Sequence, residues 1–340
     1  MRKNFLFLCL LSAMYCMATE GALNGLFSIN NKGDKVVFSQ GNLQYQASTN
    51  TWRFAENQYD MVGSDNINAG STYGGWIDLF GWGTSGYNNT ANDPFAVNYQ
   101  PWATSYALVS SDYNYYGYGP STNQTNPNLT GTSANYDWGV YNAISNGGNT
   151  AGEWRTLTSE EWYYIFYTRS QAKNLRSLAT VCGVHGYVLL PDDFTMPGGL
   201  SWNIKPYEWE DNTYDSLAWS DMEAAGAVFL PAAGYHNGAG VRSVGSGGMY
   251  WSASYVDETY AGVMTFDLEG ACVYVESGVN RYSGSSVRLV QNYSVPTAPT
   301  DINHITNQAP MTTKVIKDGH LLILRGDKTY TLQGQEVNPK

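Results

Sequence analysis

The sequence predicts an α+β fold of short antiparallel strands, few helices and long ordered loops, followed by a small β unit. Three observations predict it. Apolar residues alternate with polar ones in short runs broken by Gly, Asn, Asp and Ser turns, most fully from Gly247 to Val290. Helix signals are few, and the strongest is the stretch RTLTSEEWYYIFYTR. A segment over residues 63–135 is rich in Gly, Asn, Ser, Thr and aromatics but has little period. Such composition suits loops pinned by packed rings rather than a flexible linker.

The amino terminus reads as an export signal over residues 1–18. Arg2 and Lys3 form a positive head, and Phe5 to Ala13 is apolar but too short to span a bilayer. Cleavage after Ala18 places Cys16 and Ala18 at the two small-residue positions, and Cys16 lacks the small residues that precede a lipidated cysteine. No later stretch is apolar enough for a transmembrane helix.

The main domain is expected over 19–291. FSIN, KVVFSQGNLQY and TWRFAENQYDMVG alternate as strands, with NKGD and ASTN as turns. In the loop-rich part, Gly75, Gly81 and Gly83 flank Trp76 and Trp82 and allow tight turns under the rings, while DYNYYGYG adds further aromatics. NYDWGVYNAISN suits a short helix. Thr158 with Glu161 forms a capping box, and Trp162, Ile165 and Phe166 share one helical face. Capping accounts for the pair Glu160 and Glu161 without acid–base chemistry. LATVCGV and HGYVLLPDDF read as a hairpin, and AWSDMEAAGAVFLPAAGYHNG as one helical turn and a strand. Gly247–Val290 then supplies three or four half-buried strands. Residues 292–312, rich in Pro, Thr and Asn, read as a linker. Residues 313–340 form the small β unit, with turns at Asp318-Gly319 and Gly326-Asp327.

Composition excludes some function classes. The chain carries 18 Lys+Arg against 29 Asp+Glu, a net charge of −11, which disfavours nucleic acid and anionic membrane surfaces. Only 14% of residues are charged, so this is not a disordered acidic chain; 27 Tyr and 11 Trp must be packed or presented. Cys182 and Cys272 remain after the signal is removed, either as a disulfide or as two buried small hydrophobes. No Cys or His lies at metal-ligand spacing, and no cofactor motif is present. His185 beside a hairpin turn and His236 in a Gly/Asn loop read as surface residues, and His304 and His320 fall in the linker and tail. Asp192 and Asp193 cap a turn or offer oxygen ligands to Ca²⁺.

Several blocks in order carry a resemblance: FSQGNLQYQASTNTWRFAENQYD, GWIDLFGWGTSGY, DWGVYNAISNGG, EWRTLTSEEW, GYVLLPDDF, FLPAAGY, YWSAS and SVRLV. Together, over residues 26–291, they resemble the major paralogous family of exported Bacteroidetes and Fibrobacter surface proteins. That resemblance implies a C-type lectin-like fold of the formylglycine-generating-enzyme type. WRTLTSEEW is similar to that branch's helix signature, and SVRLV to its closing strand. Some relatives are the variable proteins of diversity-generating retroelements, diversified near the C-terminal strands. Matched position by position, Trp251, Gly284, Val287 and Arg288 fall on framework, and Tyr255, Asp257, Glu258, Tyr260, Asn280, Tyr282 and Ser283 on the ligand-contacting surface. Here a linker and tail follow that stretch, which implies a fixed rather than a diversifying member. The tail KVIKDGHLLILRGDKTYTLQGQEV is similar to type IX secretion sorting domains, which implies that machinery as a partner and a secreted or outer-membrane-surface location in a Gram-negative bacterium.

The functional expectation is a surface-displayed adhesin or ligand-binding protein, not an enzyme, with a protein, peptide or glycan ligand. Tyr and Trp faces stack on sugar rings, and polar loops on a rigid scaffold suit recognition. Sugar-binding C-type lectins hold calcium through EPN or QPD loops followed by WND, and this sequence has neither. The alternatives are an enzyme of the formylglycine-generating-like branch or a structural fimbrial or surface-layer component. That branch uses a cysteine pair, and here only Cys272 lies late in the chain. Glu153, Asp192, Glu208 and Asp221 offer carboxyls without a motif to pair them.

Overall fold

A computed structural model describes residues 20–68, 70–87, 101, 127–205, 207–237 and 240–293, and the backbone of three strands within 312–331. The export signal, DYNYYGYG and most of the linker lie outside the described residues. The chain divides into two compact units, Met1–Ser294 and Val295–Lys340.

In the first unit, β1 (Phe27–Ser28) and β2 (Lys35–Phe38) pair across the NKGD turn. The hairpin of β3 (Leu43–Gln46) and β4 (Thr51–Phe54) turns at ASTN, where Asn50 adopts a left-handed φ of 50°. DWGVY gives a single turn, α1 (Trp138–Tyr141), capped by Asp137, which accepts from the Gly139 N–H. After β5 (Arg155–Thr156), α2 (Ser159–Tyr163) starts on the expected box: Thr158 accepts from the Glu161 N–H, and Glu161 accepts from the Thr158 N–H. A π-helical turn over Tyr164–Thr168 extends it, and Trp162, Ile165 and Phe166 are buried.

The hairpin of β6 (Arg176–Val181) and β7 (Val184–Leu189) turns on Cys182 and Gly183, both at positive φ, 50° and 81°. Two positive φ values in a two-residue loop match the strands' twist. β8 (Thr213–Tyr214) adds in parallel to β6. The predicted single turn at AWSDMEAA is longer, nine residues in α3 (Ser216–Ala224), because Asp215 caps it by accepting from the Ala218 N–H. β9 (Val228–Pro231) completes the sheet β8-β6-β7-β9, and Trp219, Met222 and Phe229 fill the layer between α3 and that sheet.

The β10 (Tyr235–Asn237) and β11 (Gly240–Arg242) ribbon leads into β12 (Gly247–Tyr255), β13 (Tyr260–Asp267) and β14 (Gly270–Asn280), an antiparallel meander. β15 (Leu289–Tyr293) then inserts between β2 and β5, so the first and last strands of the unit share one sheet. The fold class is therefore α+β, with several small, mainly antiparallel sheets and few helices. In the second unit, β16 (Thr312–Lys317), β17 (His320–Arg325) and β18 (Lys328–Thr331) form an antiparallel meander.

Four expectations are corrected. β12 and β13 are buried on both faces rather than half-buried. Tyr250, Met264 and Phe266 face the core around Trp162 and Phe38, while Trp251, Ala253 and Val263 face a second core of Trp52, Trp82, Trp138 and Trp154. The polar members Ser252 and Ser254 are also buried, because they bond the start of α2: Ser252 Oγ lies 2.8 Å from Ser159 Oγ, and Ser254 Oγ accepts from the Ser159 N–H at 2.9 Å. Cys182 and Cys272 are free thiols, and neither is buried; Cys182 sits in the tight turn and Cys272 on the outer strand β14. His236 is only 4% exposed, because β10 runs under Gly284 and bridges to it. His185 is half-buried, stacked on Trp209 at 5.0 Å, with Nδ1 2.8 Å from the Gly245 carbonyl.

Asp192 joins strand to helix and is engaged by protein groups. It accepts from the Ser28 N–H and hydroxyl and pairs with Lys35 at 3.1 Å and Arg169 at 3.3 Å. Burial raises its pKa, but the bonds from Ser28 and Lys35 and the charges of Arg169 and Lys35 more than offset that and hold it below the ordinary value. Among the described residues no group of three or more His, Cys, Asp or Glu side chains is placed to hold a metal.

Candidate functional site

The candidate surface forms where β12 turns into β13 and β14 runs into the segment before β15. Val256, Asp257, Glu258 and Thr259 make the loop between Tyr255 and Tyr260. Asp257 shapes it: Oδ1 accepts from the Thr259 N–H at 2.7 Å and the Tyr260 N–H at 2.8 Å. A carboxylate that bonds its own backbone two and three residues on fixes a turn. Tyr260 pairs with Asn280 across the sheet, which brings the two halves of the predicted surface together.

Beneath the loop lies a residue that sequence reasoning missed. Arg281 is 1% exposed, and its guanidinium carbon lies 4.6 Å from the Trp82 ring centre and 5.3 Å from the Tyr255 ring centre. Its Nη1 donates to the carbonyls of Asp257 at 3.3 Å and Glu258 at 3.4 Å. A cation held by two aromatic rings and two carbonyls makes a rigid floor. Trp82 is anchored in turn: its indole N–H donates to the Ser252 carbonyl at 2.8 Å and its backbone N–H to the Arg281 carbonyl at 2.8 Å. Asn128 accepts from the Tyr255 N–H at 2.8 Å and fixes the end of β12. The only sequence signal for Arg281 was a lone Arg among turn residues, far in sequence from Trp82.

The seven predicted contact residues divide by exposure. Asp257, Glu258 and Tyr260 are exposed, Tyr260 at 40%. Tyr255, Asn280 and Tyr282 are half-buried. Ser283 is corrected: it is 6% exposed, in a turn closed by its N–H donating to the Asn280 carbonyl at 2.8 Å. Burial, chiefly, and the charges of Glu258 and Asp257 push the Tyr255 hydroxyl above its ordinary pKa, while Arg281 acts in the opposite direction. Tyr255 thus stays a neutral donor and acceptor near neutrality. The four positions matched to framework are all buried, and Arg288 bonds Gln58 Oε1 at 2.7 Å and the Phe229 carbonyl at 3.3 Å.

At the opposite end of the same sheet, a depression of about 580 Å³ opens beside the β13–β14 turn. Tyr235, Met249, Asp267, Glu269, Cys272 and Tyr274 line part of it. Asp267 is engaged in the turn, accepting from the Glu269 N–H at 2.8 Å. Among the described lining residues there is no His, Lys or Arg.

No protein-family model, curated protein or solved structure matches the chain.

Proposed function

We propose that this chain is an exported, surface-displayed binding protein or adhesin, and that it contacts its ligand through Tyr255, Asp257, Glu258, Tyr260, Asn280 and Tyr282. The carrying observation is the floor of Arg281 between Trp82 and Tyr255, which presents exposed Tyr260 and Glu258 on a fixed loop. Rigid aromatic side chains bind with little loss of conformational entropy. A C-type lectin-like scaffold is part of this reading. Its support is the pairing of first and last strands, β2 with β15, and the buried Trp251 and Arg288 before the closing strand. Membership of the exported Bacteroidetes and Fibrobacter family, and delivery by type IX secretion to the outer surface, rest on the quoted sequence blocks and the tail. The ligand class is a protein, peptide or glycan.

The test is a glycan and host-protein array probed with the purified chain and with a variant in which Tyr255, Asp257, Tyr260 and Tyr282 are Ala. The reading predicts ligands bound by the parent and lost in the variant. Equal binding by both sinks the site assignment.

The depression holding Cys272, Asp267 and Glu269 is the one observation that favours the enzyme alternative. Cys272→Ser separates the two readings. An enzyme acting through that thiol loses turnover in this variant, whereas the binding reading predicts an unchanged array profile.

A further inference from the structure

A second depression, of about 540 Å³, lies across the β13–β14 turn from the one holding Cys272, and its charge is of the opposite sign. Lys173 on the 3-10 turn Ala172–Asn174, Arg176 at the start of β6 and Lys205 in the loop after β7 all line it. Four other described cations, Lys35, Arg53, Arg155 and Arg169, are each within salt-bridge reach of a carboxylate. Lys173, Arg176 and Lys205, like Lys32 and Arg242, form no such ion pair among the described residues, and these three converge on one hollow of a chain with net charge −11. The one carboxylate among the described lining residues is Glu269, exposed on the ridge between the two depressions.

Arg176 is set in place before any ligand arrives. Its Nε donates to the Phe166 carbonyl at 2.9 Å and its Nη1 to the Tyr187 hydroxyl at 2.8 Å. The guanidinium also lies 5.2 Å from the Phe166 ring centre and 5.0 Å from that of Tyr167. These contacts fix the plane of the fork and leave Nη2 for another acceptor. A pre-oriented guanidinium flanked by two ammonium groups is the donor set that oxyanions select. Ile204 and Leu268, exposed at 42% and 47%, border the hollow and supply apolar contact beside the charge.

We propose that the hollow bounded by Lys173, Arg176 and Lys205 is an oxyanion-binding site, taking a carboxylate, sulfate or phosphate group on a compact ligand. It is separate from the Tyr255–Tyr282 surface and does not rest on that reading. The test is calorimetric titration of the full chain with inorganic sulfate, inorganic phosphate and glucuronate. Saturable binding with Kd below about 10 mM is expected for at least one probe. A Lys173→Glu, Lys205→Glu double variant changes only exposed side chains, so it keeps its melting temperature and binds at least about tenfold more weakly. Glu269→Gln binds about two- to threefold more tightly, and raising the salt weakens binding in the parent. Tighter binding of glucuronate than of sulfate and phosphate assigns a carboxylate-bearing sugar; the reverse assigns a tetrahedral anion, and both outcomes support the site. Absence of saturable binding by all three probes, or equal affinity in the double variant, overturns it.

Discussion

Asp78 shows how one side chain sets the pH response. It is buried, its carboxylate accepts from the Val62 N–H and the Asn66 amide, each at 2.8 Å, and burial raises its pKa to about 6. Asp137 is raised to about 6 for the same chief reason. A carboxyl with a raised folded-state pKa favours the protonated folded form. Its contribution is fully present below the unfolded value, near pH 4, and is lost as pH rises through about 6. Each carboxyl therefore contributes a fall on the order of 2–3 kcal/mol across that window. Urea melts at a series of pH values check this: Asp78→Asn flattens the fall in stability between pH 4 and 6 relative to the parent chain. Asp192, with its lowered pKa, acts with the opposite sign and loses its stabilisation as pH falls below the unfolded carboxyl value.

At the scale of elements, α2 was legible in the sequence because its information is local. Thr158 and Glu161 are three residues apart and bond each other's backbone. Thr158→Ala removes one of those bonds and costs about 1 kcal/mol in a urea melt. The Cys182-Gly183 hairpin was legible for the same reason, whereas KVVFSQGNLQY divides into β2 and β3 in different sheets and TWRFAENQYDMVG is strand only over Thr51–Phe54. β12 was not legible either. Its Ser252 and Ser254 look like the wet face of an alternating strand, and only the fold brings Ser159, Ser252 and Gly262 together. Ser252 Oγ donates to the Gly262 carbonyl at 2.8 Å, and a side chain at Gly262 would collide with Ser159 Oγ. Gly262→Ala must therefore displace the Ser159 and Ser252 hydroxyls and break the bond between them. Overpacking of this kind costs about 1–3 kcal/mol, read as a lower denaturation midpoint. The candidate surface was legible as a Tyr-rich turn, but its floor was not. Arg281 meets Trp82 across a large sequence separation, and no local pattern encodes that contact.

Among the described residues, stability rests on packed aromatic cores rather than on covalent staples. Trp82, Trp138, Trp154, Trp162 and Trp251 are fully buried, while both described cysteines are free. Treatment of a chain beginning at Thr19 with reductant thus leaves its melting temperature unchanged, and a thiol reagent modifies exposed Cys272 ahead of Cys182. A reductant-dependent melting temperature would contradict this arrangement. The Tyr255–Tyr282 end of the β12-β13-β14 sheet is the proposed ligand-binding surface. The most direct measurement is a binding isotherm for the strongest array ligand with the parent chain and with Tyr260→Ala, an exposed position whose truncation spares the core. At least about tenfold weaker binding by the variant, at an unchanged melting temperature, is expected. Equal affinity in the two proteins would contradict it.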